Sequence, residues 1–262
     1  MILRVDKKGG MDMGNLIKAE IFILSKSVGF KILMFISLVS GGLAVTLNFF
    51  RVGLFNSNAI GFDEIIACQQ MTFYNMIFGC IFAAIFICSG FKKMTYGISL
   101  LSGNSRLKIF FAKFIVSLTG MFLLSLMFIT VPVIMAIFNG TITKSAGNGA
   151  GYILSRLLFA LIGFMTQAAV IIFLAISTKN GTATFATGII FTYLLLIVKA
   201  NLRFYENPVI EPYLKYIYLY QAELFRLKEQ GFSDVMYMAV ITFTLIASIV
   251  FSALLFEKAE LK

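Results

Sequence analysis

The sequence predicts an all-α membrane protein: six transmembrane helices, an N-terminal amphipathic helix at the membrane surface, and short outer helices before the last span. Three observations predict it. Of 262 residues, 60% are hydrophobic and 13% charged, with a mean hydropathy of +0.93, whereas a soluble domain carries about 25% charged residues. Six charge-free apolar runs follow one another, each close to or above the ~20 residues needed to cross ~30 Å of hydrocarbon. The basic residues, which give a net charge of +10, crowd into alternate connections. No internal repeat, low-complexity tract or linker divides the chain, so residues 1–262 form a single domain.

The first residues, MILRVDKKGGMD, lack the continuous apolar core and cleavage site of a signal peptide. Met11 and Met13 are alternative starts, and Lys-Lys-Gly-Gly before them fits a purine-rich ribosome-binding sequence. We expect translation to begin at Met11 or Met13; an intact mass retaining residue 1 would exclude this. Residues 1–30 form a cytoplasmic tail and interfacial helix. Within 13–30, Leu16, Ile17, Ala19, Ile21, Phe22 and Leu24 alternate with Lys18, Glu20 and Lys26, the pattern of a helix lying along the membrane surface. The cytoplasmic end of the first span would give the same pattern.

The six runs are residues 32–50, 72–91, 114–143, 157–178, 180–198 and 235–256. The third is long enough to cross with tilt, and Pro132 should kink it. The fourth and fifth are separated only by a tight turn, STKNGTA. With both termini inside, fourteen Lys and Arg face the cytoplasm and eight face outward, and the outward eight are nearly cancelled by seven acidic residues. The outer loop 199–234 carries Pro208, Pro212 and the tyrosines Tyr213, Tyr216, Tyr218 and Tyr220, so short helices at or dipping into the outer leaflet are expected. An aromatic belt anchoring the sixth span would read the same way.

The loop 91–113, FKKMTYGISLLSGNSRLKIFFAK, stands apart. It carries Lys92, Lys93, Arg106, Lys108 and Lys113 and no acid. Met94, Ile98 and Leu101 recur at helical spacing, giving a short helix with one apolar side. Gly103-Asn104 is a stop signal, and Ser105 caps the next helix. A short helix between two spans on the positive side is a docking knob for a soluble partner; an ordinary basic loop that fixes topology carries the same charges.

Composition excludes several chemistries. Histidine is absent, which removes His-based catalysis and His metal ligation. Cys68, Cys80 and Cys88 lack metal-site spacing and read as apolar packing residues. There is no G-x-x-x-x-G-K-[ST] phosphate loop, and no carboxylate interrupts any apolar run, against an ion-coupled pump. Intramembrane polarity is limited to amides and hydroxyls: Asn75, Ser117, Ser125, Thr166, Gln167, Thr187 and Thr192. These must face protein or a cavity. Asn75, Thr166 and Gln167 are the candidates for a substrate path, and plain interhelical bonds are the competing role.

These features resemble the permease subunits of type-2 ABC transporters, especially the small six-span permeases that export, or confer immunity to, peptides such as lantibiotics. The likeness is carried by LIKAEIFILSKSVGFKILMFIS, similar to that family's amphipathic helix running into the first span, by KKMTYGISLLSGNSRLKIFFAK, similar to its coupling segment, and by the charged terminus FSALLFEKAELK. The resemblance implies a separate ATPase chain, which would hold ATP and Mg while this chain carries no cofactor, catalytic residue or metal of its own. It implies a second permease copy or a sister permease, membrane lipid and a peptide substrate as partners. It places ATPase docking on Met94, Tyr96, Gly97, Leu100, Leu101 and Gly103, with Arg106 and Lys108 fixing the loop or meeting acidic groups. Nothing suggests a nucleic-acid partner. The expected location is a bacterial cytoplasmic membrane, and the Lys- and Ile/Phe-rich composition suits a low-GC Gram-positive source. Two other readings stand beside this one: a non-transporting membrane immunity or interaction protein, and an ion-gradient-driven carrier.

Overall fold

The structure is a computed structural model that describes residues 12–52, 72–92, 94–138, 150–202 and 234–259. The 1–11 segment with the alternative start Met11, Cys68, Lys93 and most of the outer loop 199–234 lie outside the described residues, while the other alternative start, Met13, opens the first helix.

Every described element is helical. They are α1 (Met13–Lys26), α2 (Val28–Val52), α3 (Thr72–Ala83), a π turn (Ala84–Cys88), α4 (Ser89–Lys92), α5 (Thr95–Leu101), α6 (Arg106–Phe138), α7 (Ala150–Thr178), α8 (Gly181–Leu202) and α9 (Asp234–Glu257). Each of the six apolar runs falls on helix over its described residues, apart from Asn180 in the turn before α8. Three stretches are each long and apolar enough to cross a membrane: Arg106–Val131, Leu161–Thr178 and Val235–Glu257. Two bent pairs raise the number to five if each counts as one span: Met13–Lys26 with Val28–Leu43, bent by 65°, and Met76–Lys92 with Thr95–Leu101, bent by 54°. Within α8 the apolar stretch Gly181–Phe191 is shorter. The chain is therefore a multi-pass membrane protein with three to five candidate spans among the described residues.

Local chemistry sets the breaks. Ser27 is extended, and its hydroxyl accepts the Phe30 N–H at 3.3 Å, capping α2 while α1 turns away. α6 runs on as helix through Pro132. The α7–α8 hairpin turns in two residues, with Lys179 left-handed (φ 53°) and Asn180 Oδ1 accepting the Thr182 N–H at 3.0 Å.

α2 packs chiefly on α6, α9 on α7, α8 on α3 and α1 on α6. A Cβ on Gly41 would collide with the Phe128 carbonyl oxygen, so α2 and α6 meet backbone to backbone. Ser37 donates to Leu124 O at 2.6 Å across the same interface. The apolar core, including Met76, Phe82, Phe86, Ile171 and Ile172, lies among α3, α6 and α7.

Candidate functional site

The predicted short helix is present. α5 begins after Met94, whose backbone is left-handed (φ 55°), and ends at Gly103 (φ 84°), whose N–H returns to Leu100 O at 2.9 Å. Buried Asn104 locks this turn, its amide donating to Ser99 O and Ser102 Oγ at 3.0 Å each. Ser105 Oγ then accepts the Lys108 N–H at 3.3 Å and starts α6, the expected cap.

The two sides of α5 differ sharply. Met94 (58% exposed), Ile98 (65%) and Leu101 (90%) point away from the protein. Gly97 and Leu100 are half-buried, and Leu100 packs on the core. Tyr96 faces inward at 2% exposure, so it is not available to a partner; it fastens the helix instead. Its hydroxyl donates to Ile87 O at 2.9 Å, and its ring meets Phe91 edge-on at 4.7 Å and Phe256 at 5.3 Å. Gly90 makes room: a Cβ there would collide with the Tyr96 ring. Thr95 Oγ1 adds a bond to Gly90 O at 3.2 Å.

Charges secure the surroundings. The Arg106 guanidinium donates to the backbone carbonyls of Glu257 and Ala259, the latter at 2.7 Å, tying the end of α9 to the start of α6. Lys113 is largely buried. Its ammonium pairs with Glu20 of α1 at 2.8 Å and sits 3.7 Å over the Phe86 ring and 5.7 Å from that of Tyr96. Thus α1, α6, α9 and the π turn converge on the inner side of α5, beneath its exposed face. Sequence reasoning misses the Glu20–Lys113 pair and the Tyr96–Ile87 bond, since no local spacing signals either.

The substrate-path candidates separate. Thr166 Oγ1 donates to Ile162 O at 3.0 Å and reaches Ile241 O at 3.3 Å, so it links α7 to α9. Buried Gln167 and Ser125 line a cavity of about 10 Å³ between α3, α6 and α7, room for about one water molecule. Asn75 lies on α3, and its side chain is outside the described residues. Ser117 and Ser125 are buried with no hydrogen-bond partner among the described residues. Cys80 and Cys88 are buried free thiols, as packing residues should be. No group of three or more metal-ligating side chains occurs among the described residues.

No family model matches the chain, and no curated protein matches it.

Proposed function

We propose that this chain is the membrane-spanning permease subunit of an ATP-driven exporter, moving peptides in bacteriocin export or immunity. It would sit in a bacterial cytoplasmic membrane with six spans and both termini inside. The observation that carries the reading is α5: a short helix between two long apolar stretches, with its inner side fixed by Tyr96 and its outer side offering Met94, Ile98 and Leu101. An exposed apolar face beside basic residues suits an apolar cleft on a soluble protein better than it suits water. A separate ATPase, holding ATP and Mg, is the partner that fits, because this chain carries no phosphate loop.

In this reading two permeases, identical or sister chains, enclose the peptide's path between them, and ATP-driven closure of the ATPases pushes on α5. Because α5 is fastened to α6, α9 and the π turn, the push moves those helices rather than deforming a loop. α1, with Ile21, Phe22 and Ile23 exposed beside Lys18 and Lys26, lies along the inner membrane surface. Docking by Met94, Ile98 and Leu101 is tested by Ile98→Asp combined with Leu101→Asp. These side chains are exposed, so the variant should insert and keep its thermal stability but lose the co-purifying ATPase. Undiminished co-purification would refute the docking role.

A further inference from the structure

The π turn Ala84–Cys88 is the point where the loop-side elements meet. Three consecutive residues of the turn are each held by a different element. Phe86 lies beneath the Lys113 ammonium of α6 at 3.7 Å. Ile87 gives its carbonyl oxygen to the Tyr96 hydroxyl of α5 at 2.9 Å. Cys88 Sγ lies 3.2 Å from Thr184 Oγ1 of α8 and bonds to Ala175 O of α7 at 3.6 Å. Thr184 is itself bonded to Thr178 Oγ1 at 2.6 Å, which closes the α7–α8 hairpin onto the turn. On the same side, Gly181 approaches so closely that a Cβ there would stand 3.3 Å from Ala84 Cβ.

A π turn is an α-helix widened by one residue over a single turn, rare in helices and frequent at functional sites. It is one of the few places where a helix bends sharply. In this protein that weak point comes directly before the α4–α5 bend and is wired to α5 by the buried Tyr96. We propose that the π turn is the joint through which displacement of α5 is passed to α3 and to the α7–α8 hairpin, with Tyr96 as the positioning residue that connects docking helix to joint. Its use in transport rests on the docking role of α5; its existence as a weak point in the helix does not.

Deletion of Ile85 tests the joint. Ile85 is the one exposed side chain in the turn, and removing one residue from a π turn returns the helix to α geometry while the flanking faces keep their relative register. Hydrogen–deuterium exchange of the chain alone, in nanodiscs, should find amides 85–92 exchanging on the order of tenfold faster than amides 76–83. The deletion should remove that difference. Equal protection of the two segments in the unaltered chain would overturn the proposal. Should the deletion variant fail to insert, Tyr96→Phe keeps the ring contacts and releases only the Ile87 carbonyl. It should speed exchange over 85–92 with no effect on 76–83, and an unchanged profile would overturn the proposal equally. In the assembled complex, both variants should keep the ATPase bound and lose transport. Retained transport refutes the joint's role, whereas failure of the unaltered chain to bind an ATPase refutes the docking role and leaves the exchange result standing.

Discussion

Glu20→Ala strands the Lys113 ammonium in a largely buried site. At 2.8 Å the pair attracts by about 6 kcal/mol at an effective dielectric of ~20. Part of this is offset because Glu20 no longer has to be desolvated, and the Phe86 ring at 3.7 Å still provides about 2 kcal/mol of cation–π attraction. The net loss should be about 3 kcal/mol, the low end of what breaking a buried pair costs. For a chain of this size that corresponds to a drop in Tm of roughly 6–12 °C. The assay is thermal unfolding of the purified full chain in detergent, followed by tryptophan-independent dye binding or by aggregation. Glu20→Ala combined with Lys113→Met removes the stranded charge with little change in volume and should recover most of the loss. A single variant with a Tm indistinguishable from the parent, or a double variant less stable than the single, would refute the claim that α1 and α6 are joined by this pair.

Arg106→Ala should free the end of α9, since it removes the guanidinium's bonds to the Glu257 and Ala259 carbonyls. Limited proteolysis should then cleave near residue 257 several-fold faster, with a stability loss of about 1–2 kcal/mol. Gly41→Ala should separate α2 from α6, because its methyl would collide with the Phe128 carbonyl oxygen; a Tm drop of several degrees or failure to accumulate in the membrane is expected.

Much of this architecture is legible in the sequence because the bilayer imposes its own pattern. Apart from Asn180 at a turn, the apolar runs are helical wherever they are described, since a chain in hydrocarbon must satisfy its backbone internally. The α5 helix, its Gly103 stop and its Ser105 cap follow from local rules that need no tertiary information. What local rules cannot supply is the direction of a ring on a short helix. The sequence puts Tyr96 among the docking residues and Ile98 only on the apolar side of the helix, and it is the packing of Gly90, Phe91 and Phe256 that makes Tyr96 an anchor while Ile98 stays on the surface. The π turn is similarly invisible, because Ala-Ile-Phe-Ile-Cys suits an α-helix equally well and the turn's partners lie on α5, α6, α7 and α8. Thr166 shows the same limit: a hydroxyl in an apolar run signals a polar need, and the fold decides that Ile162 and Ile241 meet it.

The most direct test of the permease reading is a native pull-down. The chain, tagged at its C-terminus, is extracted from its own membrane in mild detergent, and the proteins that accompany it are identified by mass spectrometry. A stoichiometric ATPase should appear, together with a second copy or a sister permease, and that ATPase should be lost in the Ile98→Asp/Leu101→Asp variant. Recovery of the chain alone, under conditions that preserve other membrane complexes, would contradict the permease reading and leave the non-transporting immunity or interaction protein and the ion-gradient-driven carrier.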